Sequence, residues 1–110
     1  MIKLKDLDSP LWREEVFGPV VALTSYRTEE EALKLANDSE YGLSAIVIGK
    51  NTANAEKFAS KIECGMVYVN SMNRAAPDLP FGGCKNSGYG REGGEHGFES
   101  FANVQTFYAK

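Results

Sequence analysis

Two runs decide the fold: Leu43-Ser44-Ala45-Ile46-Val47-Ile48 and, further on, Met66-Val67-Tyr68-Val69. The first is almost continuously apolar, as in strands covered on both faces. Between them, Asn51 or Thr52 opens a helix in which Ala55, Phe58, Ala59 and Ile62 recur at spacings of three and four, one apolar stripe, and Gly65 stops it. Upstream, Val20 to Tyr26 has the apolar and β-branched residues of a strand. Thr28 and Glu31 then form a capping box, and three acids in the first turn suit the helix dipole. Those acids are a helix start rather than a metal site. The helix carries Ala32, Leu33, Leu35 and Ala36 and ends between Asn37 and Glu40. Strand, helix, strand, helix, strand argues for an α/β layer with a mostly parallel sheet and right-handed crossovers.

Sheets of that kind place ligand sites in loops beyond the strand ends, here Asn70 to Arg91. A connection of that length in a compact domain is usually functional. Its second part, Pro80-Phe81-Gly82-Gly83-Cys84-Lys85-Asn86-Ser87-Gly88-Tyr89-Gly90-Arg91, has too few large side chains for a core of its own and reads as a loop where backbone approaches something closely. Toward the start, Ile2 to Leu4 reads as a short extended piece before the turn-prone Asp6 to Pro10, and Trp12 as a packing aromatic. Toward the end, a short helix from Glu95 to Phe101 presents Phe98 and Phe101. Val104 to Tyr108 alternates as a strand, an exposed edge unless another chain or domain pairs with it.

With 110 residues the chain fits one domain, able to bury roughly two thirds of its unfolded surface. A net charge of -3 from interspersed acids and bases leaves no footprint for nucleic acid or an anionic membrane. No apolar run approaches the ~20 residues of a membrane helix. Two cysteines and a charged N-terminus imply a reducing, cytoplasmic setting without a disulfide framework.

Chemistry concentrates in few places. Glu14-Glu15-Val16-Phe17-Gly18-Pro19-Val20 sets two carboxylates and an aromatic on a Gly-Pro turn before a strand. One reading is a solvated acidic pair with Phe17 in the core. The other is a rigid turn offering a carboxylate to vicinal hydroxyls and an aromatic to a flat ring, as in a ribosyl-pyridine. Gly88-Tyr89-Gly90-Arg91-Glu92-Gly93 matches G-x-G-x-x-G but follows a loop rather than a strand, and no second strand with its acid follows, so it is no dinucleotide fingerprint. Cys84 beside Lys85 could pair with His96, the one histidine, but no third group would orient it. Cys64 and Cys84 read as small structural residues, and no metal-ligand spacing surrounds His96.

Four blocks in order, Glu14 to Val20, Ala36-Asn37-Asp38-Ser39-Glu40-Tyr41-Gly42-Leu43, Gly65-Met66-Val67-Tyr68-Val69-Asn70 and Pro80 to Glu92, resemble the C-terminal part of the NAD(P)-dependent aldehyde dehydrogenase superfamily. The likeness spans about Leu11 to Phe107, and the loop and ending look most similar to the succinate-semialdehyde dehydrogenase-like branch. It implies a partial catalytic-domain α/β layer over residues 1–103 and an oligomerisation strand over 104–110. By resemblance, Glu15 holds the nicotinamide ribose hydroxyls and Phe17 packs by the nicotinamide ring. Phe81 lines the wall of the substrate tunnel, Met72 to Leu79 shape its mouth, and Arg74 is a candidate anchor for a substrate carboxylate.

The resemblance also says what lies outside this segment. The family oxidises an aldehyde through a cysteine thiohemiacetal, passes hydride to NAD(P)+, and uses a glutamate to activate water. That cysteine, that glutamate and the dinucleotide domain precede the matching segment, and neither Cys64 nor Cys84 stands at the nucleophile's position. Two expectations follow. One is a piece of an oxidoreductase acting on an aldehyde or semialdehyde, inactive alone, whose partners are the rest of the dehydrogenase chain and further copies. The other is an autonomous α/β module that docks on a longer dehydrogenase chain through its last strand.

Overall fold

The computed structural model describes all residues, Met1–Lys110. It divides into two compact units, Met1–Ser39 and Glu40–Lys110.

In the first unit, β1 (Ile2–Lys3) pairs in parallel with β2 (Ala22–Leu23). The strand expected over Val20 to Tyr26 is shorter because its one ladder partner is two residues long. Between them the turn-prone stretch closes with the Asp8 N–H on the Asp6 carboxylate at 3.0 Å, then becomes a short helix the sequence reading did not include, α1 (Pro10–Arg13). Proline at the first helical position has its φ preset and lacks only an N–H that would be orphaned there anyway. Trp12 is half-buried, as expected of a packing aromatic, yet its indole N–H finds no acceptor. In α2 (Glu29–Asn37) the Thr28 hydroxyl accepts from the Glu31 N–H at 3.2 Å. The reciprocal half of the box is displaced by one residue: the Glu31 carboxylate accepts from Arg27 N–H, at 2.7 Å. Arg13 and Asp38 tie the ends of the two helices at 2.9 Å.

In the second unit, β3 (Tyr41–Gly42) and β4 (Ser44–Val47) form one run with two partners. β3 pairs antiparallel with β6 (Cys84–Lys85), and β4 pairs in parallel with β5 (Met66–Val69). The crossover is α3 (Thr52–Ala59), capped by the Asn51 side chain on Asn54 N–H at 3.0 Å. This parallel strand-helix-strand unit is the α/β layer expected. The helix ends before Gly65: Ser60 is its C-cap, and the Lys61 and Ile62 amides bond three residues back in a tightened last turn. Ala55, Ala59 and Met66 are the only buried apolar residues. Strand β4 was expected to be covered on both faces. In this chain α3 supplies one cover, and Ile46 and Ile48 remain 43% and 83% exposed.

At the end of β5, Asn70 (φ 50°) turns back and clamps Gly49. Its Oδ1 accepts from the Gly49 N–H and its Nδ2 donates to the Gly49 carbonyl, each at 2.9 Å. The last helix, α4 (His96–Glu99), is shorter than expected, so Phe101 falls beyond it. Residues 101–110 are exposed, and Val104 to Tyr108 pairs with nothing inside the chain.

Candidate functional site

The two units each carry part of the predicted site. In the first, the Glu14 N–H donates to the Pro10 carbonyl at 2.8 Å, ending α1 and sending the chain extended through Glu15. The Gly18 N–H then donates to the Val16 carbonyl at 2.9 Å, which makes Phe17 the apex of a three-residue turn. Phe17 is 92% exposed and Glu15 is exposed. The reading that placed Phe17 in a core therefore fails within this unit. A carboxylate and a bare aromatic two residues apart on a hydrogen-bonded turn have the chemistry for ribose hydroxyls and a pyridine ring.

In the second unit the glycine-rich stretch is ordered by its own bonds. The sequence reading made it a loop; it contains β6 and, at its mouth, a bridge in which Phe81 and Glu92 exchange backbone hydrogen bonds at 2.6 and 2.7 Å. The Ser87 hydroxyl accepts from the Gly42 N–H at 2.9 Å, and Asn86 binds Glu40 through both its backbone N–H, at 2.9 Å, and its side-chain amide, at 2.8 Å. Lys85 meets Glu63 at 3.1 Å, and Arg91 donates to the carbonyls of Gly83 and Gly90 at 2.8 and 2.7 Å. Close backbone approach is confirmed at Gly65, where an added Cβ would overlap the Gly82 carbonyl. An open cavity of about 430 Å³ lies over Gly83 to Asn86 and Gly88 to Arg91. Phe81 is held by its bridge and is 39% exposed, and Leu79 is similarly open.

The preceding loop is differently built. Leu79 N–H donates to the Ala76 carbonyl and Gly94 N–H to the Pro77 carbonyl, but Ser71 to Ala75 take part in no backbone ladder. Two side-chain bonds hold that part: the Tyr68 hydroxyl donates to the Arg74 carbonyl at 2.9 Å, and Asn73 Nδ2 donates to the Ser44 hydroxyl at 3.2 Å. Tyr68 and Ser44 were not singled out in the sequence. Their only signal was position, one on each central strand. Arg74 projects an exposed guanidinium.

The cysteines are free and half-buried. Cys84 Sγ lies 3.4 Å from the Glu63 carbonyl and 3.5 Å from the Gly42 carbonyl, so its S–H has backbone acceptors within reach. Burial pushes the Cys64 thiol up, and its Sγ donates to the Met66 carbonyl at 3.0 Å. His96 lies 3.9 Å from the Glu99 carboxylate on its own helix. No group of three His, Cys, Asp or Glu side chains could hold a metal ion, and no helix is long and apolar enough to cross a membrane.

Residues 2–107 match the model of the aldehyde dehydrogenase family. A chloroplastic betaine aldehyde dehydrogenase of Atriplex hortensis is 44% identical over 95 residues, 86% of this chain and 19% of the relative. Among solved structures, a succinic semialdehyde dehydrogenase from Streptococcus pyogenes in complex with NADP+ superposes with a TM-score of 0.89 at 45% identity, covering 97% of this chain and 24% of that one. A betaine aldehyde dehydrogenase from Staphylococcus aureus in complex with NAD+ gives a TM-score of 0.84 at 41% identity, covering 90% and 20%. The chain thus spans a quarter or less of the length of these proteins.

Proposed function

This chain belongs to the aldehyde dehydrogenase family, and from that premise we propose that it is the C-terminal share of a catalytic subunit that oxidises an aldehyde to a carboxylic acid with NAD+ or NADP+. The observation that carries the reading is the match of nearly all of this chain to so small a share of its neighbours. The surface left open agrees. Large apolar side chains stand exposed within each unit, Phe17 and Tyr26 in the first and Ile48, Phe98 and Phe107 in the second. Exposed apolar side chains in such number are what a surface covered by other protein presents.

In this proposal Glu15 accepts the ribose hydroxyls of the cofactor and Phe17 packs by its nicotinamide. The cofactor supplies the hydride acceptor. Phe81 and Leu79 line the passage for the aldehyde, and Arg74 anchors a carboxylate, which makes a semialdehyde the favoured substrate; the semialdehyde dehydrogenase neighbour supports this choice. The nucleophilic cysteine and the water-activating glutamate come from the rest of the dehydrogenase, in a reducing compartment such as the cytoplasm. Residues 1–110 alone are expected to give no aldehyde-dependent NAD(P)H. In the complete polypeptide, Glu15→Gln raises the KM for the cofactor several-fold. Turnover by residues 1–110 alone, abolished by Cys84→Ser, would overturn the proposal.

One observation favours a second reading, an assembly module. Val104 to Tyr108 alternates like a strand yet stands unpaired and exposed. Paired with a further copy or a longer dehydrogenase chain, it is the oligomerisation strand. Amide exchange at 104–108 should slow only when that partner is added.

A further inference from the structure

The mouth loop is tied to the sheet at two consecutive residues, and both ties come from one sheet face. In the parallel register Ser44 opposes Met66 and Ile46 opposes Tyr68, so these four side chains share a face. From that face the Tyr68 hydroxyl reaches the Arg74 carbonyl and the Ser44 hydroxyl receives the Asn73 amide. Tyr68 is braced in turn by Met66, whose Sδ lies 3.6 Å from its hydroxyl and which is itself buried. Nothing in the backbone duplicates these ties between Ser71 and Ala75.

The residue so fixed is Arg74, and its guanidinium is committed to nothing. Arg13 is paired with Asp38, Lys85 with Glu63, and Arg91 with two carbonyls. A cation on a backbone pinned at its own carbonyl and at the preceding side chain is pre-organised, so less rotational freedom is lost when an anion binds. A planar guanidinium takes a carboxylate at two points, and that geometry rewards a fixed backbone.

We infer that Tyr68 and Asn73 are positioning residues for substrate choice: they hold the mouth loop so that Arg74 meets an aldehyde bearing a distal carboxylate. This rests on the proposed role of Arg74. The test uses the complete dehydrogenase polypeptide carrying residues 1–110, with succinic semialdehyde and the uncharged butanal as substrates. Tyr68→Phe keeps the ring and removes the one hydrogen bond. It should raise KM for succinic semialdehyde roughly three- to tenfold, the worth of one net hydrogen bond, with kcat and the butanal constants within about twofold. Asn73→Ala should act in the same direction. Arg74→Gln should raise the same KM at least as far, and adding Tyr68→Phe to it should change little more, because the tyrosine acts through the arginine.

Different failures strike different claims. An unchanged KM in Tyr68→Phe beside a raised one in Arg74→Gln would sink the positioning role and leave Arg74 as the anchor. An unchanged KM in Arg74→Gln would sink the carboxylate reading itself. Equal losses on both aldehydes in Tyr68→Phe would mean a structural role only. Faster amide exchange over 71–76 in Tyr68→Phe is the expected companion of the specific effect.

Discussion

Two neighbouring stretches between β5 and α4 are held in opposite ways. Residues 80–92 have a backbone ladder, β3–β6, and a backbone bridge, Phe81–Glu92, to which the Arg91 side chain adds contacts to two carbonyls. Residues 71–75 hang from two side chains. Backbone stitching constrains what residues may stand there where chains touch as closely as Gly65 and Gly82 do. Suspension through the Tyr68 hydroxyl and the Asn73 amide leaves the loop's other side chains free to vary in chemistry. In the first stretch, then, sequence encodes packing, and in the second it is freer to encode the proposed contact with substrate.

The sharpest way to break this contrast is Gly65→Ala. The added methyl would overlap the Gly82 carbonyl and lie 3.0 Å from Gly83 Cα. Both neighbours are backbone, so no rotamer relieves the clash. We expect a loss of about 3 kcal/mol or more, the upper range for overpacking, read as a lower denaturant midpoint. Gly18→Ala, where nothing lies within 4 Å of the new methyl, is the control and should shift the midpoint little. Equal, small shifts would mean that the glycine stretch yields, and the contrast with residues 71–75 would go.

A smaller effect is expected at Ser87. Its hydroxyl is the acceptor for the half-buried Gly42 N–H. Ser87→Ala leaves that donor unmet and should cost about 1–2 kcal/mol, measured as a fall in thermal midpoint. Asn73→Ala, which severs an exposed tie in the other stretch, should stay within about 0.5 kcal/mol on the same scale. A reversed ranking would show that the mouth loop, not the glycine stretch, carries the stability.

What could be read from sequence follows the same division. Strand β5, the capped start of α2, and α3 with its stripe were legible because period and capping are local signals. Strand β6 was not: Cys84 and Lys85 carry no strand pattern, and they become a strand only because Gly42, some forty residues earlier, lies beside them. The short helix α1 hid in turn-prone residues, where proline serves a turn or a first helical position equally. Glu15 and Phe17 were legible as candidates because a carboxylate and an aromatic on a Gly-Pro turn have a chemistry. Tyr68 was not, since a tyrosine in an apolar strand reads as packing until its hydroxyl is seen to reach Arg74.

The smallest predicted effect concerns Cys64, which feels the glycine stretch through Cys84 and Lys85 as well as through burial. Burial is the largest influence and raises the thiol; the Met66 backbone hydrogen bond opposes it, the Cys84 neighbour raises it further, and Ala45 and lastly Lys85 lower it. An acid whose ionisation is raised in the fold favours the protonated state there. Its contribution to stability is complete below the unfolded thiol's ionisation, near 8.5, and is lost as pH climbs through the folded one. Cys64 should therefore alkylate with iodoacetamide more slowly than an unfolded thiol at pH 8, its rate profile displaced to higher pH. Lys85→Gln removes the opposing charge and should displace the profile further upward. If the lysine variant left the profile in place while Ser87→Ala moved it down, burial by the glycine stretch alone would account for Cys64. That outcome would strengthen the view that residues 80–92 act as a wall and residues 71–75 as the part that meets the ligand.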